Sequence, residues 1–322
     1  MYFVRAAVAR LDEARRARAL QAAGIPADLL ATPQARVPAP AFSALWLAVA
    51  REIDDEFFGL DRRRMKVGSF ALLCHAVIGA ADADRALKQM LRGFAVFLDD
   101  VAAEIRLEGG RAALVVANRI ADPDARRFAD ETFLVMVHGL LCWLVGRRIP
   151  LEQADFGYPR PPHAGEYAVM YTEHLCFDAA CTSVRFDARH LALPVVQDAR
   201  SLKQFLRTAP QSVFLKYKNE ESWAARVRRR LRDGGSERDW PVLEAMAQEF
   251  RMAPTTLRRR LEAEGVSFQS IKDELRRDAA IHWLCNSPLS VAEVAHLVGF
   301  EEPSAFYRAF KKWTGVPPGA YR

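Results

Sequence analysis

The spacing of apolar and polar residues over the first two thirds of the chain changes repeatedly between helical and strand periods. Helical spacing predicts helices at residues 4–23, 40–58, 70–78, 84–98, 128–145 and 198–207. A period of two on either side of Gly109 and Gly110 predicts a β-hairpin formed by residues 103–108 and 111–117. Further strands are expected at residues 154–158, 183–187 and 213–217. The pattern therefore predicts an α+β domain of mixed helices and a small antiparallel sheet.

From residue 223 onward every segment has helical spacing, and one arrangement occurs twice. A helix with one apolar face is followed by a tight turn, at residues 252–254 or 299–300, and then by a helix with one apolar and one polar face. Residues 257–261 and 306–310 share one spacing, with an arginine two positions after the first apolar residue. The sequence therefore predicts an all-α C-terminal domain with two helix-turn-helix units, whose second helices face DNA.

A longer helix is predicted between these two units. Its apolar residues lie on one face over about 16 residues, and they are Phe268, Ile271, Leu275, Ala279 and Trp283. A helix of that length spans roughly 24 Å. Because one turn of DNA is ~34 Å, this helix is the kind of spacer that sets two recognition helices about one turn apart.

Several separated stretches of the C-terminal domain resemble the DNA-binding domain of the AraC/XylS regulators. They are residues 252–265, 268–269, 290–295, 299–310, 313–315, 317–318 and 321–322. The resemblance implies a monomeric domain that places two helices in adjacent major grooves. Residues implied to face DNA in the first recognition helix are Thr255, Thr256, Arg258 and Arg259. In the second helix they are Ser304, Ala305, Tyr307, Arg308, Lys311 and Lys312. The sequence departs from the family at Ala253, where a capping serine is usual, and at Thr255, where arginine is frequent.

The first two thirds resembles the arabinose-binding-like sensor domain of the AraC subgroup that includes ornithine-utilisation regulators. The matching stretches are residues 57–60, 68, 184–187, 191, 193–195 and 202–206. The resemblance implies a small-molecule sensor. Members of the family sense chemically unrelated effectors, so the resemblance does not identify the effector of this protein. Side chains available to line an apolar effector pocket are Trp46, Phe70, Phe94, Phe97, Met136, His138 and Trp143. The same residues are equally compatible with an ordinary hydrophobic core.

Charge and cysteine content narrow the class of protein. The net charge is +6, and residues 223–322 carry 17 of the basic and 13 of the acidic side chains, so the basic excess is densest there. The five cysteines are too few and too scattered for a disulfide scaffold, and there is no long apolar run. We therefore expect a cytoplasmic protein that does not bind a membrane.

Catalytic, metal and cofactor motifs do not emerge from the sequence. His174, Cys176 and Cys181 lack the two-residue spacing and the second ligand pair of a zinc site. No serine-histidine-aspartate, phosphate-loop or dinucleotide-binding pattern is evident. We therefore expect no metal site, no cofactor and no enzymatic activity.

These observations predict a transcription regulator with a regulatory domain at residues 1–208, a linker at 209–222 and a DNA-binding domain at 223–322. The expected partners are double-stranded promoter DNA, a small-molecule effector, RNA polymerase and a second copy in a homodimer, and activation is the expected mode. One alternative is an N-terminal domain that only dimerises or binds a protein. Another is a DNA-modifying enzyme with this DNA-binding domain, which would need an activated cysteine in a Pro-Cys-His-Arg setting, and none of the five cysteines has it.

Overall fold

The computed structural model describes residues 1–32, 35–214, 223–234, 240–263 and 266–322, and the chain divides into two compact units. The N-terminal unit contains Tyr2–Ala23 and Phe42–Tyr217. The C-terminal unit contains Met1, Gly24–Ala41 and Lys218–Arg322. Residues 24–41, which the sequence places in the regulatory domain, therefore lie with the C-terminal unit. Much of the expected linker, residues 215–222, is outside the described residues.

Helices form most of the N-terminal unit. They are α1 (Tyr2–Val8), α2 (Glu13–Ala22), α3 (Ala39–Ile53), α4 (Ser69–Val77), α5 (Ala83–Phe97), α6 (Pro123–Leu144), α7 (Gly165–Met170), α8 (Ala199–Thr208) and α9 (Gln211–Phe214). The single helix predicted over residues 4–23 is wrong, because the Asp12 side chain accepts a hydrogen bond from the backbone N–H of Arg15 and starts a second helix. The strand predicted at 213–217 is also wrong where the structure describes it, since α9 ends there; residues 215–217 lie outside the described residues.

A five-stranded sheet completes the N-terminal unit. Its strands are β1 (Val101–Glu108), β2 (Arg111–Asn118), β3 (Gln153–Asp155), β4 (Leu175–Cys176) and β5 (Thr182–Asp187). The order across the sheet is β1-β2-β5-β3-β4. The β1–β2 hairpin forms as predicted, with Gly109 and Gly110 at φ of 55° and 78° in the turn. The sheet is antiparallel except for the β3–β4 pair, which is parallel. The prediction of an α+β N-terminal domain is confirmed.

Helix α6 is the buried centre of the N-terminal unit. Every residue from Phe128 to Leu144 is buried. Gly139 lies where α9 comes closest to α6, and a Cβ atom at this position would stand 2.4 Å from the backbone oxygen of Val213. A residue without a side chain is therefore required for α9 to pack against α6.

The C-terminal unit is helical, and its fold class is confirmed. Its longer helices are α10 (Trp223–Asp233), α11 (Leu243–Glu249), α12 (Pro254–Ala263), α13 (Phe268–Asn286), α14 (Val291–Leu297) and α15 (Pro303–Thr314). Two short 3-10 helices, Ala27–Ala31 and Pro318–Tyr321, also belong to it.

Helix α13 connects two separate hydrophobic cores. Its first half contributes Ile271 and Leu275 to a core shared with α10, α11 and α12. Its second half contributes residues of a second core shared with α14 and α15, and these are Ala280, Ile281 and Leu284. The buried face therefore shifts along the helix. The prediction that Trp283 continues the first apolar face is wrong, because this side chain is 37% exposed.

Residues 24–32 and 35–41, here called the N-terminal strap, complete the second core of the C-terminal unit. Leu29 and Ala35 are buried in that core together with Tyr321. The Tyr321 hydroxyl donates to the Arg36 backbone oxygen at 2.5 Å and accepts from the Arg36 backbone N–H at 2.9 Å. The amino group of Met1 donates to the Ala35 oxygen at 2.7 Å. The second helix-turn-helix unit is thus built from both ends of the chain.

Candidate nucleic-acid interface

The two helix-turn-helix units have the same turn geometry. In the first unit Arg251 has φ of 54°, and the N–H of Met252 donates to the oxygen of Ala247 at 3.0 Å. In the second unit Gly299 has φ of 83°, and the N–H of Phe300 donates to the oxygen of Ala295, also at 3.0 Å. Both support helices therefore end on a left-handed residue, which turns the chain into the next helix. The two units, whose repeat is inferred from the spacing of their apolar residues, therefore also share a backbone conformation at the turn.

The second unit has the better-capped helices. Ser290 and Glu293 form a capping box at the start of α14. Helix α15 begins at Pro303 and ends at Gly315, which has φ of 82°. In the first unit the support helix α11 begins without a side-chain cap. The starts of the two recognition helices are alike, since Ala253 and Glu302 both offer only a backbone oxygen. The loss of a side-chain cap costs about 1 kcal/mol.

Each recognition helix turns its apolar residues inward and its cations outward. On α12, Leu257 is fully buried whereas Thr255, Arg258 and Arg259 are exposed. On α15, Phe306 and Phe310 are fully buried, and the outward side chains are Ser304, Tyr307, Arg308, Lys311 and Lys312. Thr256 and Ala305 are half-buried at the starts of the helices. Each recognition helix therefore has a solvent-facing basic surface.

Several basic side chains of the C-terminal unit are paired or stacked, and the outward cations of the recognition helices are not among them in the part of the chain that the structure describes. Within the described residues Arg258, Arg259, Arg308, Lys311 and Lys312 make no ion pair. By contrast, Arg228 pairs with Glu274 at 2.8 Å and Arg230 forms a two-bond pair with Glu249. Arg226 and Arg260 lie over the Trp223 ring at 4.1 and 4.4 Å from its centroid. Several cations on the supporting helices are thus paired or stacked, whereas the outward cations of the recognition helices leave their positive charge uncompensated, as a phosphate-binding surface requires.

The residues predicted to line an effector pocket occupy different parts of the N-terminal unit. Phe70 and Trp143 are brought together by Phe205, whose ring centroid lies 6.5 and 4.2 Å from theirs. Trp46 packs on Phe58 in another cluster, with a ring separation of 4.5 Å.

The remaining predicted pocket residues lie on α5 and α6. Phe94 is fully buried against Phe133, while Phe97 is half-buried. Met136 and His138 are buried, and His138 Nε2 is hydrogen-bonded to the oxygen of Ile149 at 2.9 Å. Phe70 and Phe97 are thus the more accessible members of the predicted set.

Two polar features of the N-terminal unit are not indicated by the sequence. An open groove of about 490 Å³ is lined by charged residues from α2, α3 and the segments before α2 and after α3. They include Arg10, Arg15, Arg51, Glu52, Asp55 and Arg64. The second feature is buried: Glu131 on α6 accepts hydrogen bonds from Tyr167 and lies 3.1 Å from His163. Burial raises the pKa of Glu131. Since Glu131 and His163 are far apart in the chain and fit no motif spacing, no sequence signal could have paired them.

Within the described residues no group of three or more histidine, cysteine or acidic side chains is placed to hold a metal ion. None of the five cysteines forms a disulfide, and Cys74 and Cys142 are buried. None of the described helices combines the length and the apolar character needed to cross a membrane.

Two helix-turn-helix units joined by one helix, together with a separate α+β domain, define a DNA-binding transcription regulator. Comparison with known proteins agrees with this class. The model of the N-terminal arabinose-binding domain of AraC transcription regulators matches residues 14–195, and a helix-turn-helix domain model matches residues 246–322. The chain therefore belongs to the AraC family of transcription regulators, with an N-terminal ligand-binding domain and a C-terminal DNA-binding domain.

Individual relatives extend over different parts of the chain. The ornithine utilization regulator of Pseudomonas aeruginosa is 28% identical over 304 residues, which cover 94% of this chain and 88% of that protein. An uncharacterised HTH-type transcriptional regulator of Mycobacterium tuberculosis is 43% identical over 98 residues, or 30% of this chain and 28% of that protein. The crystal structure of the transcriptional regulator CdpR from Pseudomonas aeruginosa aligns over 96% of both chains, with 17% identity and a TM-score of 0.33.

Proposed function

We propose that the protein activates transcription from promoters that it reads with α12 and α15, under the control of a small molecule bound by the N-terminal unit. The observation that carries the proposal is the uncompensated positive charge on the outward faces of both recognition helices. RNA polymerase is the partner that activation requires. The named relatives are regulators, which supports a non-enzymatic function.

The side-chain types on the two helices suit different parts of DNA. Arg258, Arg259 and Arg308 can each donate two parallel hydrogen bonds to the major-groove edge of guanine. Thr255 and Ser304 can donate to or accept from base edges and phosphates. Lys311 and Lys312, near the end of α15, suit phosphate contacts that strengthen binding without reading sequence. Thr256, Ala305 and Tyr307 complete the proposed surface.

DNA binding is tested by mobility shift with the region upstream of the gene and of its neighbours. If Arg308 reads a base edge, Arg308→Ala weakens specific binding by about 1–3 kcal/mol. Arg229→Ala is the matched control, because Arg229 is exposed on α10 and the substitution removes the same charge. Lys312→Ala should lower affinity for all sequences alike and reduce the salt slope by about one. Absence of any sequence-specific shift, with or without candidate metabolites, would remove the proposal.

The effector-binding region is proposed to centre on the half-buried Phe70 and on Trp143, which Phe205 brings together. The half-buried Phe97 and the buried Trp46, Phe94, Met136 and His138 are further candidates in other parts of the unit. A bound effector raises the unfolding temperature of the full chain by mass action. Phe70→Ala should abolish that increase, whereas Leu72→Ala, on an exposed position of the same helix, should leave it intact. If no metabolite in a broad screen stabilises the protein, the better interpretation is that the N-terminal unit binds a protein partner.

A further inference from the structure

The outer edge of strand β1 has no strand beside it in the part of the chain that the structure describes. β1 is the first strand in the sheet order and pairs with β2 alone. In an antiparallel pair, alternate backbone N–H and C=O groups point away from the partner strand. Most of β1 beyond Val101 is accessible, and Leu107 is 64% exposed. Val101 is buried and its N–H donates to Asp61, so the accessible edge is residues 102–108. Such an edge is a template for pairing with another strand.

The two faces of β1 have different chemistry. Ala103, Ile105 and Leu107 lie on the face that β2 continues with its buried residues, because Ile105 is opposite Leu114. Glu104 and Arg106 lie on the other face, where their side chains are 60% and 65% exposed and form an ion pair along the strand. Since opposite residues in an antiparallel pair share a face, any strand added at this edge must present apolar residues on one face and charges on the other.

We propose that the protein forms a two-fold symmetric homodimer in which β1 pairs antiparallel with β1 of a second copy, with Ile105 opposite itself. In this register Glu104 lies opposite Arg106 of the second copy, and Ala103 lies opposite Leu107. The two strand edges contribute residues 102–108, which joins the two five-stranded sheets into one. The dimer contains two C-terminal units, one from each copy, and each of them has two helix-turn-helix units.

Charge and face matching select this register. A shift that centres the pair on Glu104 or on Arg106 puts like charges directly opposite each other, which is destabilising. A shift by a single position along one strand places apolar residues of one copy on the charged face of the other. Centring on Leu107 pairs only residues 106–108 within the strand, and centring on Ala103 pairs only residues 102–104 of the accessible edge, because Val101 is buried. With Ile105 at the centre, the Glu104 and Arg106 side chains of the two copies alternate in sign around the symmetry axis, so each charge has two neighbours of opposite sign.

Charge reversal in the full-length protein tests the pairing. Sedimentation velocity over a range of concentrations should show a reversible dimer. Glu104→Arg and Arg106→Glu should each raise the dimer dissociation constant about tenfold, because each places like charges opposite one another twice. The double exchange Glu104→Arg/Arg106→Glu should restore the dimer, since the alternation of sign returns. Arg148→Glu is the matched control, because it makes the same change of charge at an exposed position outside the sheet.

Cross-linking tests the register. Opposite Cα atoms in an antiparallel pair lie about 4.5–5.5 Å apart, within the range of a disulfide. In a protein whose exposed Cys176 and Cys181 are changed to serine, Ile105→Cys should therefore form an intermolecular disulfide under mild oxidation. Ala102→Cys should not, because the two copies of residue 102 lie roughly 20 Å apart along the strands.

Three results would overturn the inference: a monomer at all concentrations, a dimer that single charge reversals leave unchanged, or equal cross-linking at positions 102 and 105. Thermal unfolding of each variant separates loss of pairing from loss of fold, since the exposed Glu104–Arg106 ion pair contributes little to stability. The measurements contain neither DNA nor an effector. Failure of the dimer proposal in these measurements can therefore be distinguished from failure of the proposed DNA-binding and effector-binding function.

Discussion

Tyr321→Phe tests whether the N-terminal strap is a structural part of the DNA-binding unit. The substitution keeps the ring, which is fully buried 5.2 Å from the Phe310 ring centroid, and removes the hydroxyl that makes two hydrogen bonds to the Arg36 backbone. Each such bond has a net value of about 0.5–1.5 kcal/mol. The expected loss of stability is therefore about 1–3 kcal/mol.

Differential scanning calorimetry of the full-length protein measures this loss. In a domain of about 100 residues each kcal/mol lowers the unfolding temperature by roughly 4–8 °C, so the transition of the C-terminal unit should move by about 10 °C. Tyr307→Phe is the matched control, because that tyrosine is 43% exposed and its substitution should stay within about 0.5 kcal/mol of the parent. Equal unfolding temperatures for Tyr321→Phe and the parent protein would refute the structural role of the strap.

Four further substitutions test other parts of the structure. Gly139→Ala should lower the free energy of unfolding by about 1–3 kcal/mol, since its Cβ would meet the Val213 oxygen; chemical denaturation showing equal or greater stability would contradict this close packing. Asp55 is buried, and burial raises its pKa to about 6. The folded state therefore binds the proton of the Asp55 carboxyl group more tightly than the unfolded state does, and the free energy of unfolding falls as pH rises from about 4 to about 6. Asp55→Asn should remove up to ~3 kcal/mol of that pH dependence, and unchanged stability–pH curves would count against it. Gly299→Ala should destabilise by about 1 kcal/mol in thermal unfolding, whereas Arg251→Gly, at the equivalent left-handed position, should be neutral or stabilising; the opposite order would argue against equivalent turns.

Local patterns determined most of the C-terminal unit in advance. Helix-turn-helix units consist of contiguous segments, so the apolar spacing around Leu257 and Phe306 was sufficient to predict both helices and their buried faces. The β1–β2 hairpin was predictable for the same reason, because two glycines lie between two strands of alternating pattern. The split between α1 and α2 was missed because good helix formers surround Asp12, and only its side-chain bond to the next helical turn shows that a new helix begins.

Contacts between residues distant in sequence were decided by the tertiary structure alone. Arg36 and Tyr321 are 285 residues apart, and neither has a local pattern that predicts the other as its partner. The shift of the buried face along α13 depends on the positions of two separate cores, which periodicity within one helix does not encode. Spacing in the sequence therefore established the helices, the hairpin and the class of protein. Tertiary packing decided that Leu29 and Ala35 complete the core that contains Tyr321. Burial depends on which surfaces meet rather than on which residues are neighbours in the chain.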